Sequence, residues 1–152
     1  MMAENYALLN IENDSHLLIE NSAINGMTRF ITTVTGSTLR VLNCANQGLV
    51  RCPLTLDDST AEISGNDYGI SGYNKTDVLT MKNGSSLTME DNNSAGIFLY
   101  GGNIDVQDAR HSLSPARAKI WIIPMIVPSA LSPYIITTIP MPQTSPLLTV
   151  HR

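Results

Sequence analysis

Short alternations of apolar and polar residues recur through the first two-thirds of the chain. Each covers three to five residues and ends in residues that favour turns, mainly Asn, Asp and Gly. An alternation of period two is typical of a short β-strand with one buried face, and the residues that follow it predict a turn. Clear examples are Leu39-Arg40-Val41, Leu54-Thr55-Leu56, Leu79-Thr80-Met81, Leu87-Thr88-Met89 and Ile104-Asp105-Val106.

The alternations belong to a longer repeat. The passage Ser37–Asp58 matches Ser85–Asp108, so that Leu39 corresponds to Leu87. A further copy, around Glu62-Ile63-Ser64, lies between them and halves the spacing. The period is therefore about 24 residues, within the range of known repeat proteins. The copies fall near residues 38–60, 61–85 and 86–109, with a poorer one at 14–37.

A repeat of this length accommodates three short strands and three turns, which make one coil of a β-solenoid. We therefore predict an all-β chain that forms a right-handed parallel β-helix (β-solenoid) of about four coils of about 24 residues, over 14–109. Stacking would place Leu39, Ile63 and Leu87 in one interior column. Residues 1–13 would be a lead-in or cap, and 110–152 an irregular Pro-rich tail.

The segment Asn92–Ile97, after Ser86-Leu87-Thr88-Met89, resembles repeats of the pectate-lyase-like right-handed parallel β-helix proteins. It is most similar to the repeat regions of bacterial surface and adhesin proteins. The resemblance covers about 14–109 and implies a fold more than an activity, since its motifs are structural. It also implies a stack of asparagines at one corner of the coils. The candidates for that corner are Asn43 or Cys44, Asn66 and Asn92.

Polysaccharide-cleaving enzymes of that family place acidic residues on the outer face of a strand. Asp57 and Asp58 follow one strand, and we expect Asp91 at the equivalent position of a later coil. Successive coils stack about 4.8 Å apart, so such carboxylates could reach the roughly 6.5–9.5 Å that inverting hydrolysis requires. Arg51 is the candidate base of a lyase, although no aspartate cluster adjoins it. The same aspartates are also typical turn residues, and we favour that interpretation.

The sequence contains no strong pattern for a metal or cofactor. Gly101–Asp105 resembles part of a glycine-rich calcium-binding repeat, but its second half is missing, so we interpret it as a tight turn. His16, His111 and His151 lie too far apart for metal-ligand spacing. We predict no cofactor, with calcium as the alternative.

Composition narrows the function classes. A hydrophobic fraction of 43% with 14% charged residues indicates a folded chain, and a net charge of -4 without a basic patch argues against nucleic acid. Met1–Asn10 does not have the pattern of a signal peptide. We interpret Cys44 and Cys52 as small buried thiols, with a disulfide as the alternative.

Composition also changes abruptly near Arg110. All thirteen acidic residues lie between Glu4 and Asp108, whereas 110–152 contains four basic residues and no acidic one. Ile120–Ile139 is uncharged, but three prolines interrupt it, so a membrane span is not favoured. Three interpretations remain: a proline-spaced strand that lies along the solenoid or caps it, a disordered segment, or a segment translated in a shifted reading frame.

These observations favour a non-catalytic interaction module of a secreted or cell-surface protein, which binds a glycan or a protein. The alternative is a carbohydrate-active enzyme, a polysaccharide lyase or glycoside hydrolase, that uses Asp57, Asp58, Asp91 or Arg51. A third alternative is a structural fragment of a larger surface protein. Open strand edges at the ends of the solenoid would also permit end-to-end self-association.

Overall fold

A computed structural model describes residues 5–107 and 120–123, and within them every regular element is a β-strand. The strands form three parallel sheets. Sheet A contains β1 (Ala7–Ile11), β4 (Phe30–Thr35), β7 (Leu54–Asp57), β10 (Val78–Lys82) and β13 (Asn103–Val106). Sheet B contains β2 (His16–Glu20), β5 (Thr38–Leu42), β8 (Thr60–Ser64) and β11 (Ser86–Thr88). Sheet C contains β3 (Met27–Thr28), β6 (Gln47–Val50), β9 (Tyr68–Gly72), β12 (Ala95–Tyr100) and β14 (Ile120–Ile123).

Each strand pairs with the equivalent strand of the next coil, so the backbone winds through the sheets as a parallel β-solenoid of about four coils. The predicted all-β solenoid is confirmed. Its coils are uneven: Thr38 pairs with Thr60, 22 residues later, and Thr60 pairs with Ser86, 26 residues later. These two steps together give the spacing at which Leu39 matches Leu87 in the sequence.

Two strands lie outside the predicted range of 14–109. β1 pairs with β4, so sheet A starts at Ala7, and β14 pairs with β12 in the segment that follows the compositional break. Most of that segment, including the three interrupting prolines, lies outside the described residues. All three interpretations of that segment therefore remain predictions. No helix long and apolar enough to cross a membrane occurs in residues 5–107 or 120–123.

The interior consists of aliphatic columns, in which side chains from successive coils stack on one another. Leu39 pairs with Ala61 and Ala61 with Leu87, whereas Ile63 pairs with Val41. The predicted column of Leu39, Ile63 and Leu87 is thus wrong at its middle member, because the shorter first step brings Ala61 to that level. The largest fully buried aliphatic side chains are Leu39, Leu49, Leu54, Leu56, Ile63, Leu87, Met89, Ile97 and Leu99.

At two of the corners between sheets, every one of the four coils has a residue of positive φ that turns the chain. At the corner between sheets A and B (the A–B corner) these residues are Asp14, Gly36, Asp58 and Gly84. At the corner between sheets B and C (the B–C corner) they are Asn21, Asn43, Gly65 and Asp91. Asp, Asn and Gly tolerate this left-handed conformation best, which explains why turn formers recur at these spacings.

From the second coil onward, the residue that follows each of these turn residues is buried, and these buried residues form a ladder of hydrogen bonds at each corner. At the B–C corner, Cys44 N–H donates to Asn66 Oδ1 at 2.9 Å, and Asn66 N–H donates to Asn92 Oδ1 at 3.1 Å. The predicted asparagine stack is confirmed, with Cys44 rather than Asn43 in the column. The ladder provides acceptors for the backbone N–H groups of Cys44 and Asn66, which lie in the turn and therefore do not pair within a sheet.

The A–B corner contains a serine ladder that the sequence reasoning missed. The N–H of Ser15 donates to Ser37 Oγ at 3.1 Å, that of Ser37 to Ser59 Oγ at 3.3 Å, and that of Ser59 to Ser85 Oγ at 3.2 Å. In both ladders the backbone of one coil donates to a side chain of the following coil.

Candidate functional site

The aspartates predicted as catalytic candidates lie at two different corners. Asp57 ends β7 and Asp58 turns the A–B corner, whereas Asp91 turns the B–C corner. The residue equivalent to Asp58 in the next coil is Gly84, so the expected stacking of Asp91 with Asp57 and Asp58 is wrong. Both corners combine a residue of positive φ with a buried polar residue, and the sequence pattern alone does not distinguish them.

Asp57 lies in an outward-facing column of sheet A, in which it pairs with Lys82 of the next coil. Its carboxylate lies 3.0 Å from Lys82 Nζ and accepts a hydrogen bond from Asn83 Nδ2 at 2.6 Å. The hydrogen bond from Asn83, followed by the contact with Lys82, lowers the pKa of Asp57 below its ordinary value. A general acid requires a raised pKa, so these contacts stabilise the ionised carboxylate instead.

Arg51 lies at the corner between sheets C and A (the C–A corner), with φ of 50°. Its guanidinium carbon lies 5.6 Å from the centre of the Tyr73 ring, a distance at which a cation is attracted to an aromatic face. The structure therefore places Arg51 next to an aromatic residue, at a different corner from Asp57 and Asp58.

The residues considered for metal binding are dispersed. Gly101 has φ of 80° and forms a turn before β13, as the tight-turn interpretation predicts. His16 is exposed at the start of β2, whereas His111 and His151 lie outside the described residues. Among residues 5–107 and 120–123, no three His, Cys, Asp or Glu side chains converge on a common point.

The two cysteines are free and buried, which confirms their interpretation as small buried thiols. Cys44 lies in the ladder of the B–C corner. Cys52 lies at the C–A corner, where its thiol donates to Val50 O at 3.3 Å. Burial raises the pKa of the Cys52 thiol, so this cysteine is a poor nucleophile in the folded chain.

A cluster of aromatic residues lies on the outer face of sheet C. Tyr68 and Phe98 pack edge to face with ring centres 5.9 Å apart, and the ring centre of Tyr73 lies 6.1 Å from that of Phe98. Tyr100 follows Phe98 by two positions, points to the same side and is 42% exposed. We name this surface the aromatic face; it consists of Tyr68, Tyr73, Phe98 and Tyr100, with Gln47 and Arg51 beside them.

An insertion at the C–A corner positions Tyr73. The Asp77 carboxylate is buried and accepts hydrogen bonds from the N–H groups of Tyr73 at 2.7 Å and Asn74 at 2.9 Å. Gly72 fits against this loop because a Cβ there would approach Asp77 Cβ to 2.6 Å. The loop between β9 and β10 covers residues 73–77 and is longer than the loop between β6 and β7, which covers 51–53. The longer loop contributes to the greater length of the third coil and holds Tyr73 beside Phe98.

Ser71 lies in the sheet behind these rings. It belongs to the outward column of sheet C, in which it pairs with Val50 and Phe98, yet its side chain is buried. Its hydroxyl donates to Gln47 Oε1 and also lies 3.3 Å from Leu49 O, so it fixes the Gln47 amide at the border of the aromatic face. The Gln47 amide nitrogen then provides a hydrogen-bond donor next to the rings.

The aromatic face holds an unusual share of the chain's rings. The sequence contains eight aromatic residues, of which four lie on this face. The sequence analysis did not predict that these rings cluster. The repeat places Phe98 and Tyr100 at outward positions of sheet C, where they alternate with the buried Ile97 and Leu99. Tyr68 lies two residues before the buried Ile70, and Tyr73 lies in the insertion, so neither follows that alternation.

Flat aromatic rings beside fixed hydrogen-bonding groups can hold a ligand that has both apolar and polar faces. The negative face of a ring attracts C–H groups, and Tyr adds a hydroxyl at its edge. Arg51 and Gln47 provide donors on the same side of the sheet. Comparison of the chain with protein-family models, curated proteins and solved structures found no match, so this surface is interpreted from its own geometry.

Proposed function

We propose that this chain is a non-catalytic interaction module whose aromatic face binds a glycan at a cell surface or outside the cell. The observation that supports the proposal is the packed set of Tyr68, Tyr73 and Phe98, with Tyr100 exposed beside them. A sugar ring presents C–H groups on its faces and hydroxyls at its edge, which matches rings bordered by amide and guanidinium donors.

The geometry supports binding better than cleavage. The acidic candidates Asp57, Asp58 and Asp91 lie at the A–B and B–C corners, whereas the aromatic face lies on sheet C next to the C–A corner. A glycan bound at Tyr73 and Tyr100, at the end of sheet C next to the C–A corner, would thus lie away from Asp57 and Asp58 at the A–B corner. The resemblance to repeat regions of surface and adhesin proteins agrees with a binding role.

A retention assay tests this proposal. The purified chain is passed over immobilised pectin, other plant polysaccharides and mucin glycans. We expect retention on at least one of them, weakened about five- to tenfold by Tyr73→Ala or Tyr100→Ala, which corresponds to about 1 kcal/mol of lost ring contact. Thr60→Ala, at an exposed position of sheet B, is the matched control and should leave retention unchanged.

Two results would overturn the proposal. Retention that the tyrosine substitutions leave unchanged would place the binding surface elsewhere. Release of reducing sugar or unsaturated product, abolished by Asp58→Asn, would instead identify the chain as a carbohydrate-active enzyme.

A further inference from the structure

The N-terminal end of the solenoid is open. Within residues 5–107 and 120–123, β1, β2 and β3 are the terminal strands of sheets A, B and C, each paired on one side only. Leu17 on β2 points inward but is only half-buried, whereas its partner Leu39 in the next coil is fully buried. The same difference separates Ile19 from its partner Val41. This end therefore combines an incomplete core with strand edges that can accept another strand.

The hydrogen bonds of β2 determine which of its backbone groups face the open edge. The Ser15 carbonyl accepts from Thr38 N–H at 2.9 Å, towards the second coil. At the other end of the strand, Asn21 N–H donates to Leu42 O at 3.0 Å in the same direction. Because successive residues of a strand direct their backbone groups to opposite edges, the even-numbered residues of β2 present N–H and C=O groups to the open edge. These residues are His16, Leu18 and Glu20.

The sequence of β2 is complementary to itself when two copies of the strand run antiparallel. If Leu18 lies opposite Leu18 of a second copy, His16 of each copy lies opposite Glu20 of the other. Leu17 then lies opposite Ile19, and these inward-facing side chains cover each other across the open end. In this register the even-numbered residues face one another, so their backbone groups on the open edge all find partners.

The rise of the solenoid fits the same arrangement. One coil advances by about 4.8 Å, the spacing of neighbouring strands. At the open end β1 therefore projects farthest, β2 less and β3 least. A two-fold axis through the middle of β2, perpendicular to the solenoid axis, places β1 of one copy opposite β3 of the other. The strand that projects farthest thus faces the strand that projects least, and the gap is the same at all three sheets.

The charges of the first coil are also compatible with this axis. The rotation places the A–B corner of one copy over the B–C corner of the other. Glu12 and Asp14, both exposed at the A–B corner, then face residues 21–25, which carry no charge. Glu20 faces His16. The carboxylates of these three residues therefore do not oppose one another, and Ile24, which is 65% exposed, becomes covered.

We propose that two copies of this chain dock through their N-terminal ends, about a two-fold axis centred on Leu18. β2 of one copy pairs antiparallel with β2 of the other, and β1 of each copy faces β3 of its neighbour. Both copies use the same surface, so the contact closes and assembly stops at the dimer.

Disulfide formation at the axis tests the register. Opposite residues of a hydrogen-bonded antiparallel pair have Cα atoms about 5.5 Å apart, within the roughly 4.4–6.8 Å that a disulfide spans. We expect Leu18→Cys to form a covalent dimer under mild oxidation, measured on a non-reducing gel. Leu8→Cys is the matched control, because Leu8 is 76% exposed at the same end but its two copies lie on opposite sides of the axis. This control should stay monomeric, and the native cysteines are buried.

Sedimentation velocity on the full chain tests the charge pairing. We expect the wild type to shift from monomer to dimer as its concentration rises. His16→Glu places a carboxylate opposite Glu20 and should weaken the dimer about tenfold, since like charges directly opposite each other repel. The double variant His16→Glu/Glu20→Lys restores opposite charges across the axis and should restore the dimer.

A further variant separates this pairing from the effect of added charge. Thr60→Glu adds a carboxylate at an exposed position of β8, an internal strand of sheet B, and should dimerise like the wild type. Far-UV circular dichroism that matches the wild type shows that each variant is folded.

Four results contradict this docking. They are a wild type that stays monomeric at every concentration, assembly that continues past the dimer, a covalent dimer that forms equally well from Leu8→Cys, and a double variant that dimerises no better than His16→Glu. Glycan retention by a monomer would leave the proposed function intact, so the two proposals fail separately.

Discussion

Asn92 accepts two hydrogen bonds from Asn66 through a single side-chain oxygen. The backbone N–H and the side-chain amide of Asn66 both lie 3.1 Å from Asn92 Oδ1. The Asn92 amide in turn donates to Ile63 O at 2.8 Å in the preceding coil. The buried side chains of Asn66 and Asn92 thus join successive coils through directional hydrogen bonds, which the aliphatic columns do not provide. These bonds help to fix the level at which one coil stacks on the next.

Replacing Asn66 by alanine should destabilise the solenoid markedly. The substitution removes the acceptor of the Cys44 N–H and leaves buried polar groups of neighbouring coils unpaired. We expect a loss of about 1–3 kcal/mol in the free energy of unfolding, measured by urea denaturation. Asn93→Ala is the control, since Asn93 is exposed, and it should change that energy by less than about 0.5 kcal/mol. Equal effects of the two substitutions would contradict a structural role for the ladder.

Gly48 and Gly36 should respond differently to alanine. A Cβ on Gly48 would lie 2.7 Å from Gly69 O and 2.8 Å from Ile63 Cγ2, so the coils would have to move apart. We expect Gly48→Ala to cost about 3 kcal/mol by overpacking. Gly36 has open space around it but φ of 53°, so Gly36→Ala should cost only about 1 kcal/mol from backbone strain. Thermal unfolding of both variants tests this order, and a larger loss for Gly36→Ala would refute it.

The contacts of Asp57 should make stability depend on pH in the acid range. Its pKa is lowered from 3.8 in the folded chain, so the carboxylate stabilises the fold above about pH 3.8, and this contribution disappears as the pH falls through the lower folded value. We expect Asp57→Asn to unfold more easily than the wild type at pH 7 and to differ little near pH 2. Asp58→Asn leaves these contacts in place and is the control, so it should destabilise the chain less than Asp57→Asn does at pH 7. A difference that persists at pH 2 would exclude this explanation.

The two thiols should be inert in the folded chain. Cys44 and Cys52 are buried, and the raised pKa of Cys52 further reduces its thiolate at neutral pH. We expect an aromatic disulfide reagent to react slowly with both thiols under native conditions. In denaturant, the same reagent should react rapidly with both. The absorbance of the released thiolate measures the rate. Rapid labelling of one cysteine in the native protein would show that its corner opens.

The sequence predicted the fold well because its strongest signal is a repeat. Strands such as Leu54–Asp57 and Val78–Lys82 follow from alternation of period two, and the match of Leu39 with Leu87 reflects the true register between the second and fourth coils. The predicted division of that spacing was wrong. An even division placed Ile63 level with Leu39, whereas the actual steps of 22 residues and then 26 residues put Ala61 there.

The candidate site was less predictable, because it depends on contacts between coils. Asp58 and Asp91 both precede a buried polar residue after a strand, and only the pairing of β11 with β8 shows that they turn different corners. Tyr73 contacts Phe98 through an insertion of irregular length. Such a contact has no period in the sequence, so analysis of the repeat alone could not place these rings together.

The ladders at the corners also make the number of coils adjustable. In a chain that lacks residues 44–65, Asn43 would be followed directly by Asn66, and the Ser37 N–H would meet Ser85 at the same spacing that already separates Ser59 from Ser85. The A–B and B–C corners would keep their turn residues and their inward-facing donors and acceptors. A solenoid built in this way can gain or lose a whole coil by duplication or deletion of one such repeat, so its length can evolve while its cross-section stays the same.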